Sequence, residues 1–86
     1  MPLLIVFRAN WCPHCRLMER AGVLERLRTQ LSALDVRVED LSDGETDLSR
    51  SLHVRTIPAF VLVDGDDTKR TSGAKTLEQL VRFCDR

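Results

Sequence analysis

Two segments of the chain are apolar at every position: Leu3-Leu4-Ile5-Val6-Phe7 and Ala59-Phe60-Val61-Leu62-Val63. Runs of that length, rich in β-branched and aromatic residues, predict strands covered on both faces. A third segment, residues 34–41, alternates instead, setting Val36 and Val38 against Asp35, Arg37 and Glu39. That pattern predicts a half-exposed strand at a sheet edge. Asp64-Gly65 or Gly65-Asp66 supplies a hairpin turn, and residues 69–72 the returning strand. Between the strands the period changes. Leu17, Ala21, Leu24, Leu27 and Leu31 recur at helical spacing, predicting one helix from Pro13 to about Leu31 with these residues on its buried stripe. Gly22 falls inside it, at a cost of roughly 1 kcal/mol relative to Ala, and there permits close packing or a bend. After a turn at Ser42-Asp43-Gly44-Glu45, residues 46–53 form a short helix with Leu48 and Leu52 on one face and His53 as its C-terminal cap. Thr76 and Gln79 make a capping box that opens a last helix, with Leu77, Leu80, Val81 and Cys84 on its buried stripe. The order β-α-β-α-β-β-α, beginning with a parallel pair joined by a helix, predicts one three-layer α/β domain over residues 1–86.

The chemistry gathers where the first strand hands over to the first helix, at Trp11-Cys12-Pro13-His14-Cys15. Cys12 falls at the expected helix N-cap and Pro13 at the first helical position, where its missing N–H costs nothing. The unpaired N–H groups and the positive end of the helix dipole then face the Cys12 sulfur and favour thiolate over thiol. His14, when protonated, adds a positive charge. Thiolates so placed have pKa values of about 3.5 to 7.5, against about 8.5 for a free cysteine. Cys15 lies one turn further along the same face. The pattern predicts that Cys12 attacks a disulfide and Cys15 resolves the product, as a C-x-x-C within a βαβ unit suggests.

Composition narrows the alternatives. With 13 basic and 13 acidic side chains the chain carries no basic excess, which argues against nucleic acid as a partner. The charges are unevenly spread. Residues 1–34 hold Arg8, Arg16, Arg20, Arg26 and Arg28 against Glu19 and Glu25, whereas residues 35–47 are acidic apart from Arg37. A mildly basic active-site end could steer an acidic partner, although a mixed solvated surface explains the same residues. Three cysteines do not build a structural disulfide framework. The N-terminal apolar run is too short for a secretory signal or a membrane span, so the expected location is cytoplasmic, with no membrane partner. Cys84 reads as a small core hydrophobe.

These residues carry a resemblance to the thioredoxin superfamily. Phe7-Arg8-Ala9-Asn10-Trp11-Cys12-Pro13-His14-Cys15 is similar to the family's aromatic-x-Ala-x-Trp-Cys-x-x-Cys. Val54-Arg55-Thr56-Ile57-Pro58-Ala59 resembles its Val-Arg-x-Ile-Pro-Thr, with Ala59 for the usual Thr, and Ser72-Gly73-Ala74 resembles its Val-Gly-Ala. The resemblance implies a minimal thioredoxin fold, with a four-stranded mixed sheet and helices on both faces. It implies a cis Ile57–Pro58 bond beside the cysteines, and a substrate groove lined by Trp11, Ile57, Pro58, Gly73 and Ala74. It also implies a monomeric protein disulfide oxidoreductase whose redox group is the Cys12–Cys15 pair itself, without a separate cofactor. Its partners would be disulfide-bearing proteins and, as reductant, a flavin-dependent thioredoxin reductase or glutathione.

Three departures stand out. Pro13-His14 replaces the Gly-Pro of thioredoxins; it occurs in periplasmic disulfide-forming oxidases, while glutaredoxins usually carry Pro-Tyr. By stabilising the thiolate, His14 should place the couple between the reference values of about −270 mV for thioredoxin and about −120 mV for the strong oxidase. Val6 stands where thioredoxins keep a buried Asp, leaving Glu39, Asp40 or water to move the Cys15 proton. Ser72-Gly73-Ala74-Lys75-Thr76 lacks the second Gly and the Asp that glutaredoxins use for glutathione. Besides the thioredoxin-type enzyme, the alternatives are a glutaredoxin-like enzyme, a metal site built on Cys12, His14 and Cys15, and a non-catalytic adaptor. Zinc normally needs four ligands, and no second C-x-x-C supplies them.

Overall fold

The computed structural model describes residues 2–85. The first strand, β1 (Leu3–Arg8), runs parallel to β2 (Asp35–Asp40) and antiparallel to β3 (Ala59–Asp64). The returning strand β4 (Asp67–Ser72) pairs with β3 around a two-residue Gly65-Asp66 turn, in which Gly65 takes a φ of 60°. The strand order is therefore β2-β1-β3-β4, with the two apolar strands inside and the two polar strands at the edges.

The pleat of the inner strands divides the core. Leu4 and Val6 of β1 and Phe60 and Leu62 of β3 point to one face. There they pack with Met18, Val23, Leu27, Leu34, Leu80 and Cys84. Ile5, Phe7, Ala59 and Val61 point to the other face, which holds Ala9, Cys12, Cys15 and Leu41 and is covered by Leu48, Leu52 and Val54. Both faces are thus buried, which is why neither inner strand alternates in sequence. This is the four-stranded mixed sheet with helices on both faces that the thioredoxin fold requires.

The long first helix departs from expectation. It is two helices, α1 (Pro13–Arg20) and α2 (Val23–Gln30), separated at Gly22, which takes a left-handed φ of 65°. A residue with a Cβ is strained there, so the glycine serves the bend. The break resets the helical phase. Cys15 and Met18 face inward on α1, and Val23 and Leu27 on α2. Leu17, expected on the buried stripe, is 64% exposed. A single period run across Gly22 mistakes its face, because Cys15 sets the inward direction and Leu17 lies two residues on.

The remaining helices fall where expected, although the third ends at Ser51 with Leu52 as its C-cap, short of the expected residues 46–53 capped by His53. The third helix, α3 (Asp47–Ser51), opens on a capping box between Thr46 and Ser49, and His53 follows it with a φ of 55°. The last helix, α4 (Leu77–Cys84), opens on the capping box between Thr76 and Gln79. Cys84 is buried with Leu80 in the core.

Candidate active site

Cys12 is the N-cap of α1 and Pro13 its first residue. The Cys12 side chain takes the place a capping oxygen would hold: its sulfur accepts the Cys15 N–H at 3.3 Å. Its own S–H points at the Ile57 carbonyl oxygen, 3.8 Å away. The thiol therefore spans two elements, the tip of α1 and the loop entering β3. The Ile57–Pro58 bond in that loop is cis, and Pro58 is buried. The Gly73 N–H donates to the Pro58 carbonyl at 2.8 Å, which brings the turn before α4 against the same loop. Cys12, Cys15, Ile57, Pro58 and Gly73 thus converge. Ala74 is exposed beyond Gly73, and Pro13 and His14 are exposed at the start of α1.

All three cysteines are free thiols. Cys12 and Cys15 are both nearly closed to solvent, at 4% and 2% exposure. Burial raises the Cys15 pKa to about 11, aided by its hydrogen bond with the Cys12 side chain; a backbone bond from Ala9 works in the opposite sense. Cys15 is thus held as a neutral thiol. Burial also raises the pKa of Cys84.

Trp11 is 65% exposed, yet its indole N–H is tethered to the Ser42 carbonyl at 3.2 Å. Ser42 also accepts the Asn10 N–H at 2.8 Å through its hydroxyl, and that hydroxyl donates to Asp40 at 2.5 Å. These bonds to Ser42 and its backbone N–H, more than the nearby Arg8, pull the Asp40 carboxylate below its usual range. Arg8 closes the chain of contacts. Its guanidinium donates to both oxygens of Glu19, at 2.6 and 3.0 Å, and lies 3.1 Å from Asp40. One network therefore ties β1, α1, β2 and the Trp11 loop together. Sequence reasoning missed Ser42 and the Arg8–Glu19 pair. The available signal was a charged residue ending an otherwise apolar strand, and a carboxylate one helical turn after Cys15.

Among the described residues no cluster of three or more His, Cys, Asp or Glu side chains is placed to hold a metal ion. No described helix is long and apolar enough to cross a membrane.

A buried dithiol at the tip of a helix, beside a cis-proline loop on a β-α-β-α-β-β-α scaffold, defines a thioredoxin-like domain. The comparisons agree: the thioredoxin family profile matches residues 1–86, and the chain belongs to that family. It is 30% identical over 88 residues to a chloroplastic thioredoxin-like protein, CITRX, of Solanum lycopersicum, covering 99% of this chain and 49% of that protein. It is also 30% identical over 81 residues to thioredoxin 1 of Chlorobaculum tepidum, covering 93% of this chain and 78% of that one. Among solved structures, chloroplastic thioredoxin z superposes with a TM-score of 0.81 at 27% identity, over 98% of this chain and 75% of that one. Mitochondrial thioredoxin 3 of Saccharomyces cerevisiae gives 0.82 at 25% identity, over 96% and 76%.

The chain spans about half the length of the chloroplastic relatives it matches. Those relatives correct the expectation of a cytoplasmic location. The matching proteins of Solanum lycopersicum, Oryza sativa and Arabidopsis thaliana are chloroplastic, so the cytoplasmic expectation does not stand. That expectation rested on the shortness of the first apolar run. Such a run reports only on a secretory or membrane segment and says nothing of a plastid address.

Proposed function

We propose that the chain is a protein disulfide oxidoreductase of thioredoxin type. The observation that carries this reading is the position of the Cys12 sulfur, which caps α1 by accepting the Cys15 N–H and faces the Ile57 carbonyl. In the reductive direction Cys12, as thiolate, attacks one sulfur of a substrate disulfide. A mixed disulfide forms and the first substrate thiol leaves. Cys15 then attacks the Cys12 sulfur, the second substrate thiol leaves, and the Cys12–Cys15 disulfide remains. Two electrons pass to the substrate, and no further cofactor is needed. Pro13 and His14 tune the thiolate. Trp11, Ile57, Pro58, Gly73 and Ala74 form the surface that receives the substrate strand. The loop at Ile57 offers its backbone to that strand as an added edge, a mode of recognition that reads shape before sequence. A flavin-dependent thioredoxin reductase restores the dithiol, and glutathione is the competing reductant.

The test is reduction of insulin disulfides by the purified protein, driven separately by a thioredoxin reductase with NADPH and by glutathione with its reductase. Turnover with the first and not the second is expected. A Cys15→Ser variant should lose turnover yet hold substrate as a mixed disulfide on Cys12, visible as a mass increment. Absence of both turnover and capture would refute the reading and leave an adaptor that keeps only the fold.

A further inference from the structure

Beside Cys15 the sheet and the two parts of the broken helix line a half-open cavity of about 180 Å³. Val6 and Val38 form its sheet side and Met18 and Val23 part of its helical side, so no base stands behind Cys15 on the strands. Glu19 lies on the rim, one helical turn after Cys15 and on the same face of α1. We propose that Glu19 takes the Cys15 proton, through water in the cavity they share, when Cys15 resolves the mixed disulfide. The proposal rests on the reaction described above.

Several observations converge on Glu19. Arg8 fixes its carboxylate with one hydrogen bond to each oxygen, at 2.6 and 3.0 Å. Each oxygen keeps a second lone pair for water. Arg8 also faces Asp40 at 3.1 Å, so one cation is divided between two carboxylates and the trio retains a negative charge. The charge of Glu19 is felt at Cys15 and adds to the rise of its pKa, which marks the carboxylate as electrically close to that thiol. The other charged groups around the cavity are Arg8 from β1 and Glu25 and Arg28 from α2; β2 contributes Val38 and β3 side Pro58, both uncharged, and Cys12 faces Cys15 from the helix cap. Glu25 stands beyond the bend at Gly22, on the second helix. The cavity exceeds many times the space one water needs, and the carboxylate and thiol at its margin give water polar partners.

The step balances. The Cys15 proton passes to water and from it to the Glu19 carboxylate. The Cys15 sulfur bonds to the Cys12 sulfur, and the bond from Cys12 to the substrate breaks with its electron pair on the substrate sulfur. That thiolate takes a proton from solvent, and Glu19 later returns its proton to solvent.

Stopped-flow reaction with an aromatic disulfide that releases a coloured thiolate at each step separates the two events. The first release reports attack by Cys12 and the second reports closure by Cys15. In Glu19→Gln the second release should slow about tenfold at pH 7, less than the roughly 100-fold or more typical of an acid–base group because water and hydroxide compete. The gap should close as pH rises, while the first release keeps its wild-type rate. Glu25→Gln should leave both releases unchanged. An unchanged second release in Glu19→Gln, a slowing that is equal at every pH, or the same slowing in Glu25→Gln overturns the proposal. Should the Gln variant not fold, Glu19→Asp carries the same test, with a smaller slowing at pH 7 that fades with pH and a wild-type profile overturning the proposal. A wild-type protein that gives one release and no second would instead overturn the oxidoreductase reading itself.

Discussion

Two helices of this protein begin in the same way and to different ends. The start of α4 is a finished structural device: the Thr76 hydroxyl accepts the Gln79 N–H at 3.1 Å, and the Gln79 side chain accepts the Thr76 N–H at 2.9 Å. Both partners satisfy otherwise unpaired donors, and nothing is left over for chemistry. At the start of α1 a sulfur occupies the capping position and accepts the Cys15 N–H at 3.3 Å. Sulfur is a weak acceptor, so the cap stabilises the helix less than a hydroxyl would. What it provides instead is a thiol placed at the positive end of a helix and facing the Ile57 carbonyl, the group proposed above as the nucleophile. The comparison shows that one backbone geometry serves stability or reactivity according to a single atom in the side chain.

The largest effect is expected from turning the reactive cap into a structural one. Cys12→Ser should abolish disulfide reduction while holding stability at or above that of the wild type, by up to about 1 kcal/mol, because serine is a favoured N-cap. Urea denaturation beside an insulin assay measures both; a marked loss of stability would mean that the sulfur holds α1 in a way a hydroxyl does not.

An intermediate effect concerns pH. Cys15 keeps its proton in the folded state up to about 11, against an ordinary value of 9.0. Between those values the folded protein binds more protons than the unfolded one, so stability must fall as pH rises. The contribution is full below about pH 9 and lost by about pH 11. Denaturation midpoints at pH 8 and pH 11 should separate more in the wild type than in Cys15→Ala. Equal separations would show that burial does not hold this proton.

The smallest effect belongs to α4. Thr76→Ala should cost about 1 kcal/mol and leave the rate of disulfide reduction unchanged. A change in that rate larger than the change in folded fraction would show that the capping box also positions the Gly73 turn.

How far the sequence discloses this molecule depends on how local each cause is. The strands β1 and β3 were legible because burial on both faces removes polar residues from every position. The capping box at Thr76 was legible because its partners lie three residues apart. Cys12 at the helix tip was legible from Pro13 beside it. The bend at Gly22 was foreseen only as a possibility, since a glycine in a helical pattern marks either packing or a break. Choosing wrongly there put Leu17 in the core, although it lies exposed. The network through Arg8 was hidden for another reason. Its partner Glu19 is 11 residues away along the chain and Asp40 lies on a neighbouring strand, so only the folded sheet joins them. From the sequence alone, Glu39, Asp40 or water is left to move the Cys15 proton. In the structure Asp40 is occupied by Ser42 and Arg8, and of the two carboxylates that line the cavity, Glu19 and Glu25, it is Glu19 that shares a helix with Cys15.

The segment from His53 to Pro58 is fastened at both ends. Arg70 donates to the carbonyls of Leu52 and His53, at 2.6 and 3.4 Å, and Gly73 binds the carbonyl of Pro58. A strap pinned in this way loses its freedom once, when the chain folds, and not at each encounter. For the substrate strand proposed above, such a strap would be a ready-made backbone template, with less of the binding free energy spent on ordering the receiver.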